Sequence, residues 1–172
     1  VHFNRQPGVA AAVFRKNTRR FLRNMYRTKF WLENDNLEPS GHSIVDYAET
    51  ERTAGELLMS EDDLDVFVSA FEKGGFVAPC NWYRNFTRNW EITEGVAQNI
   101  IHPSLMIYGE HDRLTPPSIG EALLACLADA RLDIIEDAGH LSNLEQPDRF
   151  NSVLAGFLDQ HAGLADGPPT PE

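Results

Sequence analysis

The chain has 172 residues, of which 42% are hydrophobic and 10% aromatic, and its formal net charge is −11 at pH 7. This apolar content excludes a disordered chain, and the acidic balance argues against a non-specific nucleic-acid binder, which needs surplus Lys and Arg to neutralise phosphates. The sequence contains no apolar run of the length that a membrane-spanning helix requires. Its two cysteines, Cys80 and Cys126, make neither a disulfide framework nor a metal set, which favours a cytoplasmic location.

The two ends of the chain carry different signals. Residues 1–8 begin without Met and lack the basic and apolar regions of a signal peptide. We expect them to continue a longer protein. Residues 163–172 contain three prolines and two glycines and predict a frayed tail.

The first 95 residues have the periodicity of helices and no strand pattern. Apolar residues at helical spacing predict a helix from about 9 to 28. Residues 33–56 are polar and predict a loop or short helical turns, a length of loop that often covers a functional site. Ser60 is placed to cap a second helix that ends at Gly74-Gly75. The predicted buried face of that second helix consists of Leu64, Phe67, Val68 and Phe71.

A third helix is predicted from about Asn81 to Trp90. Trp82, Phe86 and Trp90 follow one another at a spacing of four, so they lie on one side of that helix. Aromatic residues at this spacing indicate either a core face or the wall of a pocket.

The pattern changes near residues 92–102, where we place a domain boundary. Residues 105–108 and 132–135 are short apolar runs that predict buried strands. A helix is predicted from 116 to about 130, and a closing helix from 145 to about 160 has Pro147 in its first turn. The alternation predicts an α/β arrangement with parallel strands and a right-handed crossover. The domains expected are a helical one over 1–95 and an α/β one over 96–162.

Two loops that follow the predicted strands carry residues suited to hydrolysis. Asp112 follows the first strand and His140 follows the second, 28 residues later. Because neighbouring parallel strands end at the same edge of a sheet, we expect these side chains to lie close together. An imidazole can act as general base on water while a carboxylate fixes its tautomer. The structural alternative is that Asp112 caps a turn and His140 is an ordinary loop histidine.

Longer strings around these residues resemble a known family. Residues 108–116 (YGEHDRLTP) and 138–147 (AGHLSNLEQP) are similar to the acid and base loops of α/β-hydrolases, in which the nucleophile comes earlier in the chain. Residues 81–90 (NWYRNFTRNW) resemble the lid motif of soluble epoxide hydrolases. Residues 3–9 (FNRQPGV) and 17–22 (NTRRFL) resemble the start of that lid. The resemblance, which is nearest to the mycobacterial type, implies the helical lid plus the last strands and helices of an α/β-hydrolase core.

The resemblance also implies a role for each matched residue. Asp112 would be the orienting acid and His140 the base that activates water. Tyr83 would be a lid tyrosine that donates a hydrogen bond to the epoxide oxygen, where negative charge develops during ring opening. The predicted substrate contacts are Trp82, His2, Phe3 and Leu141. The family's second lid tyrosine falls at His2, at Phe3 or upstream of Val1, and of these two side chains only histidine could donate a hydrogen bond.

The family's nucleophilic aspartate has no match here, because no Gly-x-Asp-x-Gly string occurs in the sequence. We expect the N-terminal half of the same protein to supply it and the 172 residues alone to be inactive. The implied substrate is a small epoxide, without a metal or organic cofactor, nucleic acid or membrane, and a homodimer is compatible with the family.

Two other functions compete with an epoxide hydrolase. A haloalkane or haloacid dehalogenase shares the fold, and the indole N–H groups of Trp82 and Trp90 could bind a halide. A non-catalytic helical interaction module is the other alternative. It would be favoured if Asp112 and His140 were far apart.

Overall fold

A computed structural model describes residues 8–28, 44–51, 55–96 and 100–162. The chain divides into two compact units, Val1–Val96 and Ala97–Glu172. Among the helices in the described ranges, none combines the length and apolar character needed to cross a bilayer.

The described part of the first unit is helical. Its helices are α1 (Val9–Lys16), α2 (Thr18–Met25), α3 (Asp46–Glu49), α4 (Glu61–Gly74), α5 (Val77–Arg84) and α6 (Phe86–Ile92). An isolated antiparallel bridge between Arg27 and Leu57 is a small departure from the expected absence of strand pairing.

The helix predicted over 9–28 is two helices, because the backbone leaves the helical region at Asn17 (φ −133°, ψ 44°). The Thr18 hydroxyl lies 3.3 Å from the carbonyl oxygen of Phe14, and such bonds to a preceding turn bend helices. The break is compatible with tight packing, since the rings of Phe14 and Phe21 stack with their centroids 4.0 Å apart. The helix predicted over 81–90 is likewise divided, at Asn85 between α5 and α6.

The second predicted helix, α4, is confirmed, and so are its N-terminal cap and its C-terminal end. The Ser60 hydroxyl oxygen accepts a hydrogen bond from the N–H of Asp63, and Gly75 ends the helix with φ 72°. Leu64 and Val68 are buried as predicted. Phe67 was predicted to be buried but is exposed at the edge of that face, where its ring contacts Tyr26.

The aromatic residues of α5 and α6 do not belong to the core of the first unit. Trp82 is 73% exposed, Phe86 55% and Trp90 75%. The prediction that they form a core face is therefore wrong, and the alternative of a pocket wall stays a prediction.

The second unit is an α/β unit. Its elements are β1 (Ser104–Gly109), α7 (Pro117–Leu124), β2 (Ala130–Ile135), α8 (Ser142–Glu145) and α9 (Pro147–His161). The strands are parallel, as predicted, and pair in register from Ser104 with Ala130 to Gly109 with Ile135. Ile135, Ala138 and Val153 are buried and form the core of this unit with the partly buried Leu105 and Ile107.

The predicted closing helix begins later than expected because of Pro147. A proline disfavours the helical conformation of the residue before it, and Gln146 has φ −136° and ψ 63°. The chain therefore forms the single turn α8, breaks at Gln146 and starts α9 at Pro147. The helix predicted from 116 to about 130 is also shorter and ends at Leu124.

Candidate active site

The register of β1 and β2 places the loops that follow the two strands next to each other. Gly109 pairs with Ile135 at the end of the ladder. Beyond it, the N–H of Glu110 donates to the carbonyl oxygen of Ile135 (2.9 Å), and the N–H of His111 donates to that of Ala138 (2.8 Å). These backbone bonds join the loop that carries Asp112 to the loop that carries His140.

Asp112 has a buried side chain, and both of its carboxylate oxygens accept hydrogen bonds. Oδ1 accepts from the backbone N–H groups of Leu114 (2.9 Å) and Thr115 (3.0 Å). Oδ2 accepts from the Thr115 hydroxyl (2.6 Å) and lies 2.9 Å from Nδ1 of His140. Asp112 therefore both caps the turn and pairs with His140, so the distance that would have favoured a non-catalytic module is not observed.

The environment of Asp112 keeps it ionised. Burial raises the pKa of this carboxyl, but the hydrogen bonds from the Thr115 hydroxyl and N–H and from the His140 ring outweigh burial, so its pKa lies below the ordinary value. An ionised carboxylate only accepts hydrogen bonds, so the proton of the neutral His140 ring lies on Nδ1. Proton transfer with water would then use Nε2, on the other side of the ring.

The loop that carries His140 is held by two glutamates. Glu145 Oε2 accepts from the N–H of Gly139 (2.9 Å), and its Oε1 accepts from the N–H of Leu141 (3.1 Å). Glu110 Oε2 accepts from the N–H of Asp137 (3.1 Å), which has the left-handed φ of 52°. These contacts fix the backbone on both sides of the histidine.

Sequence reasoning missed three of these residues. Thr115 stands three positions after Asp112, the spacing of a side-chain turn, and this signal was present but unused. The sequence predicts Glu145 only as the start of the closing helix, and it gives no role to Glu110. Their roles depend on the pairing of the two loops, which spacing along the chain does not reveal.

An open cleft of about 360 Å³ lies beside the pair. Its lining comprises Asp112, Thr115, His140, Ser142 and the last four residues of β1, Met106 to Gly109. Within the described parts of the chain, no group of three or more His, Cys, Asp and Glu side chains is arranged to bind a metal.

The other predicted site residues have different surroundings. Tyr83 lies on α5 in the first unit, is 46% exposed and contacts the ring of Phe86. Trp82 is its exposed neighbour on the same helix. Leu141 is half-buried next to His140. His2 and Phe3 lie outside the described residues, so whether either replaces the second lid tyrosine stays a prediction.

Comparison with known proteins identifies similar chains. No family model matches, but the sequence is 29% identical over 160 residues to bifunctional epoxide hydrolase 2 of Sus scrofa, covering 91% of this chain and 28% of the relative. It is 37% identical over 102 residues to epoxide hydrolase A of Mycobacterium tuberculosis, covering 58% of this chain and 32% of the relative. The crystal structure of epoxide hydrolase A from Mycobacterium thermoresistibile superposes with a TM-score of 0.76 at 29% identity and covers 92% of this chain.

The chain spans only part of these proteins. It covers 28% and 32% of the two relatives and 50% of the solved chain. Their names and their fold confirm the resemblance in the sequence. Over most of its length, this chain is homologous to one part of the epoxide hydrolases of the α/β-hydrolase type.

Proposed function

We propose that this chain provides the acid–base pair and the lid of an epoxide hydrolase, which converts an epoxide to a vicinal diol. The observation that carries the proposal is the 2.9 Å contact between His140 Nδ1 and Asp112 Oδ2 beside an open cleft. The similarity to epoxide hydrolases supports the choice of substrate class.

The proposed reaction has two covalent steps. In the first, an aspartate carboxylate attacks an epoxide carbon, the carbon–oxygen bond breaks, and an ester and an alkoxide form. That aspartate would come from a segment outside these 172 residues, since the sequence has no Gly-x-Asp-x-Gly string. In the second step, His140 takes a proton from water, the hydroxide attacks the ester carbonyl, and the bond between the acyl carbon and the substrate oxygen breaks. The departing oxygen takes the proton of the added hydroxyl, which regenerates the carboxylate.

Asp112 and Thr115 both have a part in the second step. Asp112 holds the imidazole in the tautomer that can accept a proton at Nε2 and stabilises the imidazolium that results. Thr115 donates to the same Asp112 oxygen at 2.6 Å and so keeps the carboxylate oriented. The imidazolium gives its proton to the alkoxide oxygen that ring opening produced, directly or through solvent, and the neutral diol then leaves.

Tyr83 is the proposed donor to the epoxide oxygen. A phenol O–H can donate a hydrogen bond to the alkoxide oxygen as the ring opens. Tyr83 stands in the motif of residues 81–90 that matches the lid of the family.

The test is to trap the ester in the full-length protein that contains this chain. With His140→Gln, we expect ring opening to proceed and hydrolysis to stop, so that intact-mass measurement shows the enzyme plus one substrate. His102→Gln replaces an exposed histidine and should release diol at the rate of the wild type. A wild type that makes no diol, or a His140→Gln protein that stays unmodified with a panel of epoxides, would exclude the proposed reaction.

Haloalkanes added to the same panel distinguish an epoxide hydrolase from a dehalogenase. Release of halide without diol formation from any epoxide would replace the epoxide hydrolase assignment with a dehalogenase. Formation of the diol alone would support the proposal.

We further propose which partners the chain has and where in the cell it is located. The implied partners are a small epoxide and the N-terminal half of the same protein, and a second copy in a homodimer. Both cysteines, Cys80 and Cys126, are free thiols, which is compatible with a cytoplasmic location.

A further inference from the structure

The Glu145 carboxylate binds the backbone on both sides of His140. Its Oε2 accepts from the N–H of Gly139 at 2.9 Å, and its Oε1 accepts from the N–H of Leu141 at 3.1 Å. One side chain therefore fixes the residue before the histidine and the residue after it. Between these two anchors, the backbone of His140 has little freedom to rotate or shift.

Charge makes this contact stronger than an ordinary loop hydrogen bond. Bonds from N–H groups to an ionised carboxylate are about twice as strong as bonds between neutral groups. Glu145 is only partly exposed, so solvent competes weakly for its oxygens. The contact also gives hydrogen-bond partners to the backbone N–H groups of Gly139 and Leu141, which precede the short turn α8.

His140 depends on its backbone because its ring is poorly enclosed. The side chain of His140 is 39% exposed, whereas that of its partner Asp112 is 5% exposed. Asp112 is fixed by three donors besides the histidine. The position of the His140 backbone thus decides whether Nδ1 reaches the Asp112 carboxylate.

We propose that Glu145 is a positioning residue that keeps His140 Nδ1 within hydrogen-bond distance of Asp112. The catalytic consequence rests on the proposed function, but the geometric consequence does not. A glutamine cannot replace Glu145, because its amide has one acceptor oxygen and an NH₂ group that would face one of the two backbone donors.

The experiment compares Glu145→Gln with Glu121→Gln in the full-length protein. Glu121 is an exposed glutamate on α7 and serves as the matched control. The first measurement is amide hydrogen exchange at Gly139 and Leu141, which reports whether the contact is lost. The second is the ¹⁵N spectrum of the His140 ring, which reports the share of the tautomer protonated at Nδ1. The third is a single turnover with an epoxide, which separates ester formation from ester hydrolysis.

For Glu145→Gln, we expect faster exchange at both amides and a smaller share of the Nδ1–H tautomer. Because small misplacements of a catalytic group are costly, hydrolysis of the ester should slow about tenfold or more while ester formation changes less than about twofold. The control should match the wild type in all three measurements. If Glu145→Gln does not give a folded spectrum, Glu145→Asp takes its place with the same expected directions, since its shorter side chain can reach only one of the two N–H groups.

Two results would overturn the positioning role. The first is unchanged exchange at Gly139 and Leu141, which would mean that Glu145 does not hold the loop. The second is faster exchange with an unchanged His140 tautomer and an unchanged hydrolysis rate, which would make Glu145 a purely structural residue. If the wild type makes no diol, the proposed function fails, while the exchange and tautomer measurements still decide the role of Glu145.

Discussion

Gly109 lies so close to Gly139 that no side chain fits between them. A Cβ atom at Gly109 would be 2.6 Å from the carbonyl oxygen of Ala138 and closer still to that of Gly139. The end of β1 therefore packs directly against the backbone of the loop that carries His140. Only a glycine at 109 permits this approach.

Gly109→Ala should therefore destabilise the protein and separate Asp112 from His140. Because the atoms that would collide with the new methyl group belong to the backbone, we expect a loss of about 1–3 kcal/mol in the free energy of unfolding. The His140 tautomer protonated at Nδ1 should also decline. Denaturant unfolding and the ¹⁵N spectrum of the ring measure these effects.

Gly156→Ala is the matched control for that substitution. Gly156 lies within α9, and a Cβ atom there would meet nothing within 4 Å. Because alanine favours a helix more than glycine does, the variant should gain up to about 1 kcal/mol. A Gly109→Ala protein as stable as this control would contradict the close packing of the two loops.

The lowered pKa of Asp112 predicts a contribution to acid unfolding. The unfolded protein binds a proton at Asp112 at a higher pH than the folded protein does. The resulting stabilisation is complete above the ordinary pKa and is lost as the pH falls through the folded pKa. Between pH 7 and pH 3, Asp112→Asn should therefore lose less stability than the wild type.

The carboxyl ¹³C shift of Asp112 checks this directly, because its titration midpoint should lie below that of an exposed aspartate. Asp129→Asn, which changes an exposed aspartate before β2, serves as the matched control. An Asp112 midpoint at or above the ordinary value would show that burial outweighs the hydrogen bonds.

The cap of α4 predicts a simple stability difference. The Ser60 hydroxyl accepts from the N–H of Asp63 at 3.1 Å, so Ser60→Ala should cost about 1 kcal/mol. Ser152→Ala is the control, because Ser152 is an exposed residue inside α9 where alanine is at least as favourable. Thermal or denaturant unfolding of both variants compares them, and equal stabilities would mean that the cap contributes nothing.

Tyr83→Phe tests the proposed donor to the epoxide oxygen. Loss of a hydrogen bond to a developing oxyanion slows such reactions by about 100-fold or more, so ester formation should slow while the fold is unchanged. Tyr26→Phe removes a hydroxyl from another tyrosine of the first unit and should leave the rate as it is. Rapid-quench measurement of ester formation distinguishes them, and a Tyr83→Phe enzyme with wild-type ring opening would exclude the role.

The sequence predicted best where local chemistry decides the structure. The cap at Ser60 and the stop at Gly75 follow from side-chain and backbone preferences of a few neighbouring residues. The parallel pairing of β1 and β2, and with it the approach of Asp112 to His140, follows from the order of elements. Both kinds of inference need no knowledge of distant contacts.

Other features depend on packing between distant residues. The break at Asn17 accompanies ring stacking of Phe14 with Phe21, and periodicity alone continues the helix through it. The exposure of Trp82 and Trp90 could not be foreseen either, because an aromatic stripe on a helix looks the same whether or not something covers it. The contacts of Glu145 needed the three-dimensional course of the loop.

Because β1 and β2 end in register, insertions in either strand would disturb the site that follows them. One residue added to β1 or β2 would reverse the face to which its later side chains point and advance the following loop by about 3.3 Å. The addition would move Asp112 away from His140. Extra residues in the turns around α7 would leave both strand ends in place. Insertions should therefore be tolerated in the segment between the strands and should abolish activity when they lie within a strand. A library of insertions would show where tolerance ends.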